Sequence, residues 1–264
     1  MIGKALKRTY IALVMIFLYA PMLVLVTLSF NDSRSRVVWG GFTLKWYSSL
    51  FSNHAYMKAF STTIILAVLS AAIASVIGLA AAIGISAMRK RNVQIMLFFT
   101  NIPLVNADIV TGIALMLWFV RFLPLGFTSV LFAHVTFNMP YVILCILPKL
   151  ETADMHQFEA ARDLGASVVT AFTKVLLPDL MPGILSGFFL AATMSLDDFV
   201  ITYFTKGPGV NTLSTLIYGE IRKGIKPEMY ALSSILFLMV LVILVITNVK
   251  WGSPAPSDND KKAV

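Results

Sequence analysis

Apolar residues run along this chain in long blocks rather than in alternation. Six stretches stand out, about 10–30, 60–87, 93–120, 129–147, 183–205 and 229–249. Each reaches the roughly 20 residues that a helix needs to cross ~30 Å of hydrocarbon. Such blocks predict helices, because a segment surrounded by lipid must pair every backbone N–H and C=O within itself. The expected fold is all-α, a polytopic membrane protein with about six transmembrane helices. Lys4, Lys7 and Arg8 precede the first block in the manner of a secretion signal. The run from Tyr10 to Phe30 is too long for one, and no small-residue cleavage site follows, so it reads as a retained span.

Composition agrees, with 58% hydrophobic residues, 13% charged and a mean hydropathy of +0.83. A soluble domain carries roughly 25% charged residues. With six spans both termini lie on one side, which holds twelve Lys and Arg against nine on the other. Arg89-Lys90-Arg91 falls in a connection of about five residues, where the positive-inside rule applies best, so both termini are expected in the cytoplasm. The net charge of +8 sits mainly in loops flanking spans and needs no nucleic acid to explain it. Residues 1–251 read as a single membrane domain. The polar tail, 252–264, reads as disordered. Cys145 is the only cysteine, and His54, His134 and His156 are scattered, so no disulfide or metal set is apparent.

Three connections remain. The outer segment 31–59 carries Trp39, Trp46 and Tyr47, and the outer segment 204–228 has turn chemistry at Gly207-Pro208-Gly209. The inner connection 148–182 is the most structured. Phe158 to Leu164 is rich in helix formers, and Gly165 is placed to end that helix in the left-handed region. Ser167 then caps a second helix running to a stop at Pro178, with Val168, Phe172, Val175 and Leu176 on one face. Ala160 and Ala161 allow another backbone to approach closely, framed by the charges of Glu159, Arg162 and Asp163. From these residues alone, a surface amphipathic helix and a docking element fit equally well.

The sign of the charge inside the apolar blocks is informative. Of thirteen acidic residues, Asp108, Asp197 and Asp198 fall within spans, whereas Arg121 alone among the bases reaches the edge of one. An ionised carboxylate at the bilayer centre costs at least about 2.5 kcal/mol, so a partner or a watery cavity is expected, and a cation fits it. Helix capping is the other use. The third block is interrupted by Pro103, Asn106 and Asp108, which predicts a short helix, a break, and a helix from near Ala107 capped by Asn106 or Asp108. Ser195 to Asp198 has capping-box spacing. Adjacent helical residues point ~100° apart, so only one of Asp197 and Asp198 faces a central pathway squarely, and Asp198 is the preferred one. His134, Asn138 and Pro140 are expected to serve a kink and interhelical hydrogen bonds. Trp46 and Tyr47 suit either cation–π contacts at an outer mouth or anchoring at the interface.

The spacing of Glu159-Ala160-Ala161, Gly165, Val175 and Leu177-Pro178 resembles the EAA loop of binding-protein-dependent ABC importer permeases, with Val175 where the family more often has Ile. The resemblance implies that the first helix of the loop enters a groove on a separate ATPase, with Glu159, Ala160, Ala161, Asp163, Leu164, Gly165 and Pro178 as docking positions. The chain contains no G-x-x-x-x-G-K-[ST], so ATP and Mg would be bound by that partner, with no cofactor on this chain. Over nearly its whole length the sequence is similar to PotC-type permeases of spermidine/putrescine importers. The matching segments are Ser29-Phe30-Asn31, Gly41-Phe42-Thr43 with Trp46-Tyr47, Asp108-Ile109-Val110, Ala133 to Phe137, Ala160 to Ala166 and Ser195 to Asp198. They continue with Gly207-Pro208-Gly209 through Thr212-Leu213, Ile217-Tyr218, Gly224-Ile225 and Pro227-Glu228. Ser214 departs from the Pro common there.

That resemblance implies a type I ABC importer permease in the bacterial inner membrane. Its partners would be a B-type permease subunit, an ATPase pair and an extracytoplasmic polyamine-binding protein. The implied substrate pathway uses Asp108, Asp197, Asp198 and Ser195, with Trp46 and Tyr47. Two alternatives stay open, an ABC importer for another cation such as ferric iron and a cation-coupled secondary transporter relaying ions through Asp108 and Asp197. A membrane enzyme fits less well, because no His or Cys lies near the span acids in sequence to complete a catalytic set.

Overall fold

The computed structural model describes residues 2–33, 35, 37–224 and 226–251. The tail expected to be disordered, 252–264, and Ile225 lie outside the described residues. The helices, in order, are α1 (Ile2–Ser29), α2 (Lys45–Ser52), α3 (His54–Ser86), α4 (Lys90–Val105), α5 (Asp108–Phe122) and α6 (Phe127–Thr152). They continue with α7 (Met155–Asp163), α8 (Val168–Ala171), a π-turn (Phe172–Leu176), α9 (Leu177–Asp197), α10 (Val200–Thr205), α11 (Leu213–Lys223) and α12 (Pro227–Trp251). Among the described residues there is no strand beyond an isolated bridge between Asn31 and Phe42. The all-α reading holds. Five helices are long and apolar enough to span, and a sixth span arises if α4 and α5 are one broken crossing.

That third block is the first correction in detail. Asn106 (ψ 149°) and Ala107 (ψ 134°) are both extended, and α5 leaves α4 at 103°. The cap is Ala107, with no side-chain cap bond, so neither Asn106 nor Asp108 caps α5 as expected. Asp108 is instead the first helical residue, where the positive end of the helix dipole favours a carboxylate. Pro103 stays inside α4 and does not make the break.

The fifth block differs too. Pro178 does not stop the loop's second helix, because helical backbone runs from Val168 to Asp197. Proline lacks an N–H and its ring crowds the carbonyl four residues back. Here the turn before it widens, and Leu177 N–H reaches back five residues to the Phe172 carbonyl. The helix thus continues through Pro178 by taking in one π-turn. It breaks later, at Asp198 and Phe199, and resumes as α10.

The described residues group into two compact units, those up to Thr62 with Asn211–Val240, and Thr63–Val210 with those from Leu241 to Trp251. In the first, Leu50, Tyr56, Ala59, Leu213, Met229 and Leu232 form a core bringing together α2, the start of α3, α11 and α12. In the second, α6 is the spine. Gly183 and Gly187 of α9, four residues apart, lie against it so closely that a Cβ on Gly183 would stand 3.0 Å from the Cys145 carbonyl oxygen. A Cβ on Gly187 would stand 3.2 Å from Val142 Cα. Small residues spaced in this way let helices approach where lipid supplies no hydrophobic drive. On α3, Ala71, Ala74 and Ala82 meet Val142 and Ile146 of α6 and Ala191 and Ala192 of α9. The short α10 packs on both α5 and α6, with Ile201 against Phe119, Ala133 and Phe137.

Candidate functional site

Where α9 ends, a set of polar side chains lies buried inside the second unit. Asp198 has a side chain only 7% exposed, and its carboxylate reaches forward to the first turn of α10. Ile201 N–H donates to Oδ1 (3.2 Å), while Thr202 donates both its N–H and its hydroxyl to Oδ2 (2.8 Å each). The expected box starting at Ser195 therefore does not form. Ser195 sits within α9, and Asp198, one residue before the N-cap Phe199, takes up N–H groups of the next helix's first turn. With the Thr202 proton committed to Asp198, Thr202 Oγ1 is left to accept from His134 Nε2 at 2.8 Å, and that nitrogen also lies 3.4 Å from Asp198 Oδ2. His134 Nδ1 lies 2.6 Å from the Ser195 hydroxyl, and in the neutral ring with its proton on Nε2 it accepts from that hydroxyl. Behind Ser195, Ser70 of α3 donates to Ser195 Oγ (3.2 Å), and Asn138 Nδ2 donates to Ser70 Oγ (3.3 Å).

The donors point one way, from Asn138 through Ser70, Ser195, His134 and Thr202 to the Asp198 carboxylate. A buried carboxylate is tolerated only when such donors meet its oxygens. His134 and Asn138 are thus interhelical hydrogen-bonding residues, as expected. What sequence reasoning missed is that they share a network with Ser195, Asp198 and Thr202. The signal was present: His134 and Asn138 are four apart, and Ser195, Asp198 and Thr202 are spaced by three and four.

The two adjacent aspartates have different surroundings. Asp198 faces the chain's own interior, whereas Asp197, the last residue of α9, is exposed. The sequence prefers Asp198 as the one facing a central pathway, whereas in the structure Asp197 is the exposed carboxylate of the pair. The 100° argument assumed one continuous helix, and the break at Asp198 (ψ 126°) removes that assumption. Asp108 is also exposed. Trp46 and Tyr47 lie in the first unit. Trp46 is 6% exposed, donates from Nε1 to the Asn31 carbonyl (2.7 Å), and has Lys45 Nζ 4.6 Å from its ring centroid. Tyr47 Oη is 2.7 Å from Ser29 Oγ. Trp46 therefore fastens the start of the outer segment to α2, and Tyr47 fastens the end of α1 to it. Asn31, 2% exposed, completes that fastening by accepting from Gly40 N–H and donating to the Val38 carbonyl.

The inner hairpin forms largely as read. Its first helix, α7, starts earlier than Phe158, at Met155, because Asp154 caps it by accepting from His156 N–H at 3.0 Å. Gly165 has φ +90°, and Ala166 N–H bonds the Ala161 carbonyl (3.1 Å) while Gly165 N–H bonds that of Arg162 (2.9 Å). That pair of bonds is a Schellman ending, which needs the left-handed glycine. Ser167 caps α8 by accepting from Thr170 N–H at 3.1 Å. Phe158 and Phe172 anchor the hairpin on Leu150, Leu176 and Leu180. Val168, at the start of α8, is 54% exposed. Glu159, Ala160, Asp163 and Leu164 are exposed, Leu164 at 91%. Among the described residues no group of His, Cys, Asp and Glu is placed to hold a metal ion.

Residues 74–250 match the family described as the binding-protein-dependent transport system inner membrane component. The chain is 36% identical over 246 residues to the spermidine/putrescine transport system permease protein PotC of Escherichia coli (strain K12), covering 93% of each chain. It is 38% identical over 235 residues to the putrescine transport system permease protein PotI of the same strain, covering 86% of this chain and 84% of that one. Among solved structures, a chain of a bacterial alginate ABC transporter in complex with an alginate pentasaccharide-bound periplasmic protein superposes with a TM-score of 0.68 at 15% identity. The match covers 94% of this chain and 93% of that chain, and at such identity it speaks for the fold alone.

Proposed function

The chain belongs to the family of binding-protein-dependent transport system inner membrane components, so it is a multi-pass transport subunit and not an enzyme, and on that premise we propose that it passes polyamines, spermidine or putrescine, into the cytoplasm. One observation carries the choice of cargo. Asp108 and Asp197 are exposed carboxylates at helix ends within apolar segments, and no Lys or Arg lies inside those segments beyond the edge residue Arg121. An ammonium chain can be handed between carboxylates at separate positions, each charged contact contributing roughly 1.5–3 kcal/mol. Polyamine transport by the relatives supports the same reading.

In this reading the chain pairs with a second, B-type permease subunit and receives substrate from an extracytoplasmic binding protein. The exposed hairpin from Glu159 to Pro178 docks a separate ATPase pair that binds ATP and Mg, which puts that hairpin and both termini in the cytoplasm. Ser195 and Asp198 support the pathway from behind, and Trp46 and Tyr47 order the outer segment rather than meeting the cargo.

Uptake of labelled spermidine and putrescine by the reconstituted complex tests the proposal. Asp108→Asn and Asp197→Asn should each raise the KM for polyamine about tenfold or more, in line with a lost charged contact. Unchanged uptake in both variants would remove the carboxylate pathway. Competition by ferric iron but not by polyamines would select the other importer, and uptake driven by an ion gradient without ATP would select a secondary transporter.

A further inference from the structure

The exposed carboxylates sit on elements that one short helix holds in place. Asp197 is the last residue of α9, directly before the break that leads into α10. Asp108 opens α5, and α5 packs on α10 where Gly112 stands so close that its Cβ would lie 3.5 Å from Ile201 Cα and 3.2 Å from the Phe204 ring. Six residues of helix make only about two hydrogen-bonded turns and are not stable unaided. Something must fix α10 and with it the direction of both carboxylates.

We propose that His134 is a positioning residue for the substrate pathway, clamping α10 to α6 and α9 so that Asp197 is held outward. Its two ring nitrogens face different helices. Nδ1 is hydrogen-bonded to the Ser195 hydroxyl of α9 at 2.6 Å, and Nε2 meets Thr202 of α10 at 2.8 Å. The imidazole is 1% exposed and lies among Ser195 (1%) and Thr202 (0%), so water does not compete for these bonds. Thr202 passes the restraint to Asp198, whose carboxylate also receives the Ile201 and Thr202 N–H groups. That carboxylate fixes the two-residue break between α9 and α10. Asp198 is turned inward by these bonds, and its neighbour Asp197 is left on the exposed side. An alanine at 134 would remove both bonds at once and leave two buried hydroxyls short of a partner, an outcome that loosens a helix end rather than unfolding a bundle.

The inference rests on the reading of Asp108 and Asp197 as cation contacts, and its test separates the two. In the full reconstituted complex, with Cys145→Ala and the other subunits free of reactive thiols, Asp197→Cys is labelled with a cationic methanethiosulfonate. Adding His134→Ala should change the labelling rate at position 197 at least fivefold, and His134→Gln, which can both donate and accept, should restore most of it. Thr202→Val should behave as His134→Ala does, which guards against a single variant that fails to assemble. With Asp197 intact, His134→Ala should raise the polyamine KM severalfold with a smaller change in maximal rate. Equal labelling rates in assembled complexes with and without His134, or no labelling at 197 in either, would overturn the proposal. If labelling shifts as expected while Asp197→Asn leaves uptake unchanged, the clamp stands and the polyamine pathway falls.

Discussion

Trp46 Nε1 donates to the Asn31 carbonyl, and the indole lies beneath Lys45, so composition and position give this residue different meanings. In the sequence an aromatic pair near a predicted membrane edge suits an anchor or a cation site. In the fold its N–H ties the outer segment to α2, and an in-chain cation already covers its face. Trp46→Phe should therefore destabilise the isolated complex by about 1–2 kcal/mol, the cost of a buried carbonyl left without its donor. A lowered thermal midpoint with an unaltered polyamine KM is the expected pattern, and a raised KM at unchanged stability would point to substrate contact instead. Asp197 and Asp198 make the same point, since a backbone break between helices gives neighbouring carboxylates opposite surroundings.

The inner hairpin shows how far an element can be read from local chemistry. Gly165, Ser167 and the alanines of α7 act within a few residues, and the left-handed glycine and the serine cap formed where the sequence put them. Pro178 behaved differently because a proline's effect depends on whether the turn before it can widen, and packing of Phe172 and Leu176 on Leu180 holds that π-turn in place. Beyond its own chain neighbours, nothing lies within 4 Å of a Cβ built on Gly165, so a substitution there acts through the backbone alone. Gly165→Ala should cost about 1–2 kcal/mol in the hairpin's ending. If the hairpin docks the ATPase, the ATP hydrolysed per polyamine imported should rise severalfold and the ATPase should co-purify less well. Normal coupling in that variant would count against the docking role.

For the whole molecule, the close pairing of α6 with α9 decides whether the buried network can exist at all. Gly183 and Gly187 bring the two backbones together, and only at that separation does His134 of α6 reach Ser195 of α9. Gly187→Leu should push α9 away from Val142 at a cost of about 1–3 kcal/mol from overpacking. Loss of assembled complex on size-exclusion chromatography, with uptake falling in proportion, is the expected result. Full assembly with unimpaired uptake would show that the helices part without consequence.

Block length and charge determined the all-α membrane fold by themselves, because lipid admits few ways to pair a backbone and penalises ionised groups. Residue spacing likewise fixed the hairpin, whose caps and glycine act over three or four residues. Only the tertiary structure decided where α4 gives way to α5, how Pro178 is accommodated, and which of Asp197 and Asp198 turns inward. Those outcomes depend on contacts between helices far apart in the chain. The reach of His134 to Ser195 spans 61 positions, so the spacing of polar residues marks a polar face on each helix but not which two faces meet.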